Sequence, residues 1–312
     1  MNTESNTSTD LPNELRTARR ATPTFYWTVK RELWENKSIY IAPLIVAAVI
    51  LLGALISAGH LPERRRTAML LDEAHRRAAI ELPYDIVAMM LITTGFIVGL
   101  FYCLDALYGE RRERSILFWK SLPVSDQTTV LAKLSVPLFV LPPIIFAISV
   151  ITQFGMLLIS TAVLLPSGLT ATSWASFNLL QQSVILLYSL IVIVLWHAPV
   201  YGWALLVSGV ARRATFLWAV LPPFAIAIFE KVTFNTNYFW AILKNRLLGA
   251  GNTAFDFQLV DLGGTHRTIA LDSLSQLTLG RFLATPGLWI GLIFAAAFVI
   301  AAIRLRRYRG PL

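Results

Sequence analysis

The sequence predicts an all-α membrane protein with six transmembrane helices, and three observations predict it. Hydrophobic residues make up 56% of the 312-residue chain and charged residues only 14%, against about 25% charged in soluble domains. No Lys, Arg, Asp or Glu occurs between Lys133 and Arg212, a run far longer than the ~20 apolar residues that cross a bilayer. The net charge of +9 gathers in segments that a six-span topology leaves on one side, as the cytoplasmic loops of membrane proteins do. That distribution points to membrane lipids as partners and not to nucleic acid.

Residues 1–21 are rich in Ser, Thr and Asn and read as a disordered cytoplasmic tail. Residues 22–38 open on Thr22-Pro23, a helix start signal. There Phe25, Val29 and Leu33 recur every fourth residue, flanked by Tyr26 and Trp34, with Lys30, Arg31, Glu35 and Lys37 largely on the other side. The pattern predicts an interfacial amphipathic helix in the inner headgroup layer. Residues 39–312 form the six-span transmembrane domain, with spans expected at 39–60, 86–107, 134–164, 178–208, 214–234 and 286–304. Pro166–Ser176 turns the chain between spans three and four. With both termini inside, 17 of the 27 Lys and Arg are cytoplasmic.

Outside, residues 63–82 place Leu71, Ala74, Ala78 and Leu82 on one helical face. Asp72 and Glu73 precede Arg76 and Arg77 by four residues, so one amphipathic outer helix is expected. Residues 235–285 hold an apolar stretch interrupted by Lys244 and Arg246, too short and charged to span. It is read as either a re-entrant or a surface helix. The tetrapeptide "VLPP" recurs at Val140–Pro143 and Val220–Pro223, and proline's missing N–H predicts bends at Pro142, Pro143, Pro222 and Pro223. These are candidate gating kinks.

Ionisable residues inside spans usually mark function, and here the spans are nearly clean. Asp105 and Glu230 sit at span ends; only His197 is placed deep, with Gln153, Gln181 and Gln182 as neutral company. The single cysteine, Cys103, excludes an internal disulfide. No HExxH and no phosphate-cradling GxxxxGK[ST] occurs, so neither a catalytic site nor a metal or cofactor site is expected in this chain. An intramembrane enzyme would show paired acids or a His/Asp cluster at one depth. A secondary transporter driven by an ion gradient would show mid-span charges and internal repeats.

The densest charge falls between spans two and three, in "YGERRERSILFWKSLPVSDQTTVLAK" from Tyr108 to Lys133. Positive-inside anchoring explains its arginines but neither Glu110, Glu113 nor the Phe118-Trp119 pair. A short helix showing an apolar face ringed by Arg and Glu suits a protein contact.

This stretch resembles the hallmark of type-2 ABC exporter permeases, in which a Glu-Arg pair precedes a small residue, an "LP-V-S" turn and a later lysine. The matching residues are Glu113-Arg114, Ser115, Leu122-Pro123-Val124-Ser125 and Lys133. Ser115 stands where Gly or Thr is common. The resemblance implies a bacterial inner-membrane permease paired with a second permease copy, each docked on a separate ABC ATPase subunit that carries ATP and Mg²⁺. Residues 109–125 would be the coupling helix. Glu110, Arg111, Arg112, Glu113, Arg114, Ser115, Phe118, Trp119, Lys120, Leu122 and Pro123 would contact the ATPase. A largely uncharged lumen suits an amphiphilic or hydrophobic cargo. The alternatives are a non-transporting membrane component of the same fold and an ion-gradient-coupled secondary transporter.

Overall fold

The computed structural model describes residues 24–115, 125–168, 174, 177–256 and 274–308, and the backbone of 258–261 and 267–270. Among the described residues, six helical stretches are long and apolar enough to cross a membrane: Ser38–Met69, His75–Arg112, Asp126–Ser167, Leu179–Val210, Thr215–Phe234 and Pro286–Tyr308. The chain is thus a multi-pass membrane protein. Every expected span is present. Most run longer than their apolar cores, because hydropathy marks only the lipid crossing while the helices continue into polar surroundings at both ends.

Helix α1, Thr24–Glu35, is followed by α2, Ser38–Ser57. A single turn at Ala58–His60 carries α2 into α3, Leu61–Met69. The single outer helix expected over 63–82 is therefore two pieces, α3 and the start of α4, Glu73–Arg112, separated at Leu70–Asp72. Of the expected helical ion pairs, Arg77 reaches Glu73 at 3.8 Å, whereas Asp72 pairs with His75.

The third span begins as α5, Asp126–Ser135, widens into a π turn at Val136–Val140, and resumes as α6, Leu141–Leu164. The π turn ends directly before Pro142 and Pro143. A wider turn absorbs the carbonyls that two prolines leave without donors. The second "VLPP" behaves differently: Pro222 and Pro223 lie inside α8, Thr215–Phe234, which is one uninterrupted α-helix. Gly168, at φ +67°, closes the turn after α6 in the left-handed region that glycine tolerates. Asn178 then caps α7, Leu179–Val210, accepting from the N–H groups of Leu180 and Gln181.

Helix α7 is the centre of the bundle, packed between α4 and the last helix, α12, Pro286–Tyr308. The main core is a continuous apolar cluster that includes Leu91, Ile145, Leu190, Leu205 and Ala302. Contact between α7 and α12 is close at Gly202, where a Cβ would stand 3.2 Å from the carbonyl oxygen of Ala295. Small residues permit that approach, the usual device for helix packing in lipid. Helix α8 is peripheral, with no buried residue.

The segment after α8 folds as α9, Tyr238–Leu248, then α10, Ala250–Ala254. An antiparallel strand pair follows, β1 at Gln258–Asp261 and β2 at Arg267–Ala270, and then α11 at Leu279–Ala284. The outer segment was expected to be helical; the strand pair corrects that. A second core joins it to the bundle through Trp196, Ala254, Phe255, Phe282 and Leu288.

Candidate functional site

At the end of the bundle where α1, the last turns of α4, α5 and the last turns of α12 meet, ionised side chains are buried together. Glu32 of α1 is 1% exposed and accepts from Lys133 of α5 at 2.9 Å, from Arg31 at 2.7 Å and from the Tyr102 hydroxyl of α4 at 2.9 Å. Lys133 also lies 3.1 Å from Glu110 of α4. The second Glu110 oxygen pairs with Arg306 of α12, whose Nε donates to Asp126 of α5 at 3.0 Å. Three carboxylates (Glu32, Glu110, Asp126) thus face three cations (Arg31, Lys133, Arg306), with the more exposed Glu35 at the edge, 3.5 Å from Arg31.

Local sequence places each partner. Ser125 caps α5 by accepting from the N–H of Thr128 at 3.1 Å, which fixes Asp126 in the first turn. Seven residues later, two turns on, Lys133 falls on the same side of the helix. Asn36 ends α1 by donating to the Glu32 carbonyl at 3.0 Å, holding Glu32 one turn before the break. Burial works against the Glu32 carboxylate, but the Lys133 ammonium and the Arg31 guanidinium outweigh it and hold its carboxyl below the ordinary glutamate value. Buried ion pairs are expensive to desolvate and contribute little net stability, so their effect here is geometric: they fix how four elements meet.

The sequence-predicted contact residues divide at Arg111. Glu110 and Arg111 turn inward, at 8% and 6% exposed. Arg111 donates to the carbonyls of Gly209 at 2.7 Å and Ala211 at 3.2 Å, satisfying the C-terminal end of α7. Beside it, Ser208 accepts from the N–H groups of Leu107 and Tyr108. Arg112 and Glu113 face outward and pair with each other at 3.2 Å. Arg114 takes the left-handed conformation, φ 57°, and breaks the helix there. Ser115 donates to the Glu110 carbonyl at 3.4 Å. Phe118, Trp119, Lys120, Leu122 and Pro123 lie outside the described residues, as do residues 1–21 and the expected Thr22-Pro23 helix start.

Helix α1 departs from the simple amphipathic reading. Its bundle-facing side is Thr28 and Glu32, both buried, while Phe25, Tyr26, Trp27 and Trp34 stay exposed. Lys30 sits 5.0 Å from the ring centres of both Trp27 and Trp34, a cation–π arrangement at the helix surface. Between α1 and the π turn runs an apolar groove of about 520 Å³, lined by residues including Tyr26, Val29, Leu134, Leu138 and Phe139.

At the far end, His197 sets one ring nitrogen 2.9 Å from the Ile193 carbonyl and the other 3.2 Å from that of Leu247. It holds α9 against α7. Sequence reasoning missed its neighbour Arg246, which donates to the carbonyls of Trp196 at 3.0 Å and Gly287 at 2.6 Å and stacks on Trp196 at 4.6 Å. The only sequence signal was a cation interrupting an apolar run.

The chain matches no protein-family profile, no curated protein and no solved structure.

Proposed function

We propose that the chain is the membrane-spanning permease subunit of an ATP-driven exporter of the type-2 ABC kind. It pairs with a second permease copy and is driven by separate ATPase subunits that hold ATP and Mg²⁺. It lies in a bacterial inner membrane with both termini cytoplasmic, and its cargo is amphiphilic or hydrophobic.

One observation carries the reading. The exposed Arg112–Glu113–Arg114 segment, which opens the 109–125 connection, is covalently continuous with Glu110. That side chain is locked to Lys133 and Arg306. A push delivered to the connection by a closing ATPase therefore reaches α1, α5 and α12 through charged contacts that tolerate little slack. Arg112, Glu113 and Arg114, together with Phe118 and Trp119, make the contact; Glu110 and Arg111 transmit it from behind.

The test is the double variant Trp119→Ala with Glu113→Ala in the assembled transporter. It should insert and pair normally but lose the co-purifying ATPase, or hydrolyse ATP without export. A buried aromatic anchor of this kind is worth ~2 kcal/mol or more on truncation. A fully coupled ATPase retained by the double variant overturns the reading.

A further inference from the structure

Arg65 of α3 is the odd member of the Arg64–Arg65–Arg66 run. Arg64 and Arg66 are exposed, while Arg65 is 6% exposed. Among the described residues it makes no ion pair and no hydrogen bond, and its Nε is enclosed without a partner. The titratable group beside it among those residues is the phenol of Tyr84, a neutral group at ordinary pH, itself 3% exposed and hydrogen-bonded to Ser160.

A guanidinium does not shed its proton in proteins. An uncompensated buried cation is strongly disfavoured, so a native chain that keeps one has a counter-charge for it. Among the described residues none is supplied. Tyr84 stacks on Phe177 at 3.9 Å, and these two form an apolar cluster with Leu157. Of the guanidinium nitrogens Nε is the one enclosed without a partner, so a ligand would be met by the paired terminal nitrogens. That is the fork that binds phosphate or carboxylate through two parallel hydrogen bonds.

Depth narrows the ligand. Arg65 follows Ser38 by 27 residues of nearly continuous helix, or about 40 Å at 1.5 Å per residue. Bilayer headgroup layers are separated by about the same span. With Ser38 at one headgroup layer, Arg65 stands at the other. The same helical stretch and its exit carry a rim of exposed apolar residues, Ile56 at 83% and Leu70 at 86%.

We infer that Arg65 is an oxyanion site at the outer headgroup layer, taking the phosphate or carboxylate of an amphiphile whose apolar part lies against that rim. The inference rests on the membrane placement of the chain and not on a partner ATPase.

The purified full chain in neutral detergent would be melted with phosphatidylglycerol, phosphatidylcholine or inorganic phosphate, as wild type, Arg65→Gln and Arg64→Gln. Phosphatidylglycerol should stabilise wild type and Arg64→Gln alike, and Arg65→Gln should need about tenfold more of it or above. Inorganic phosphate that reproduces and competes with the response identifies the oxyanion alone as the ligand. A response to phosphatidylglycerol only assigns it to the amphiphile. Equal responses in wild type and Arg65→Gln overturn the site, whereas a phosphatidylcholine response that Arg65→Gln also loses assigns recognition to the phosphodiester itself. Should Arg65→Gln not fold, phenylglyoxal modification of the wild type decides by mass spectrometry: phosphatidylglycerol must protect Arg65 and leave Arg64 reactive. No ATPase enters these assays, so a failure of the exporter reading and a failure of this site are told apart.

Discussion

Lys133, near the start of the third span, places its ammonium 2.9 Å from the Glu32 carboxylate of the N-terminal helix, with the two side chains 3% and 1% exposed. The residues are 101 positions apart in sequence. Removing one partner takes away the nearest opposite charge across the two helices, although Lys133 keeps Glu110 and Glu32 keeps Arg31, so Lys133→Met or Glu32→Gln alone should cost about 3 kcal/mol or less. The double variant should recover part of that loss, because neither ion then has to be desolvated. Thermal unfolding of the four chains in detergent measures the coupling. Strict additivity would show that the two charges stabilise independently.

The same carboxylate sets a pH dependence. Its folded value is depressed, so the stabilisation is fully present above the unfolded glutamate value of about 4.3. It is lost as pH falls through the folded value. Glu35 shifts the other way, raised mainly by burial, so the comparison must isolate Glu32. The stability gap between wild type and Glu32→Gln should be constant from pH 7 to about 5 and shrink below about 4. A gap that does not change on acidification would place the charge elsewhere in the cluster.

How much of this was legible from residues alone depends on what each feature needs. The six spans were legible because apolar runs report lipid directly. Lys133 stood out by its place in the motif, but its partner did not: nothing in the sequence of α1 singles out Glu32 until the fold brings α5 beside it. For the same reason Glu110 and Arg111 are indistinguishable in sequence from Arg112 and Glu113. Only long-range contacts to Arg306 and to the carbonyl end of α7 turn the first pair inward. The "VLPP" signal announced a disturbed helix without its form, and the two copies resolved differently. The strand pair escaped notice because each strand is only four residues long, the shortest run over which period-two alternation can be read.

Sidedness is the next expectation. Cys103 is fully buried, so the natural thiol should stay silent and introduced cysteines report cleanly. Leu70, 86% exposed in the turn between α3 and α4, and Tyr308, 81% exposed at the end of α12, lie at opposite ends of the bundle. In intact cells Leu70→Cys should react with an impermeant maleimide and Tyr308→Cys should not. Labelling of Tyr308→Cys before lysis would invert or break the topology.

At the end of the bundle away from the charge cluster, Arg246 lies so close over Gly291 that a Cβ there would overlap its guanidinium. The arginine is flexible, so Gly291→Ala should displace it and not unfold the bundle. Lost with it are the bonds to Trp196 and Gly287, at about 1–3 kcal/mol. Arg246→Ala should show a similar loss, and the combination should add little to either. Limited proteolysis within residues 235–285 should accelerate in all three. Cleavage at the wild-type rate in Gly291→Ala would mean the outer segment is held by its apolar core alone.

The last expectation concerns the two proline pairs, which the structure treats unequally. Pro142–Pro143 follows a π turn whose Leu138, Phe139 and Val140 line the groove against Phe25, Tyr26 and Val29 of α1. Movement there changes how α1 and α5 meet, and those two helices share the Glu32–Lys133 pair. Pro222–Pro223 lies in a peripheral α-helix with no buried residue and no change of winding. Replacing Pro142–Pro143 by Ala-Leu restores two backbone donors and should let the helix tighten to regular α geometry. That rotates α5 relative to α6 and strains the charge cluster. In the exporter reading, this variant should insert and retain its ATPase yet export poorly. The same replacement at Pro222–Pro223 should be milder. Measuring both in one transport assay, with ATPase co-purification as the folding control, separates the roles. Equal export by wild type and the Pro142–Pro143 variant would reduce the π turn to a packing feature of the third span.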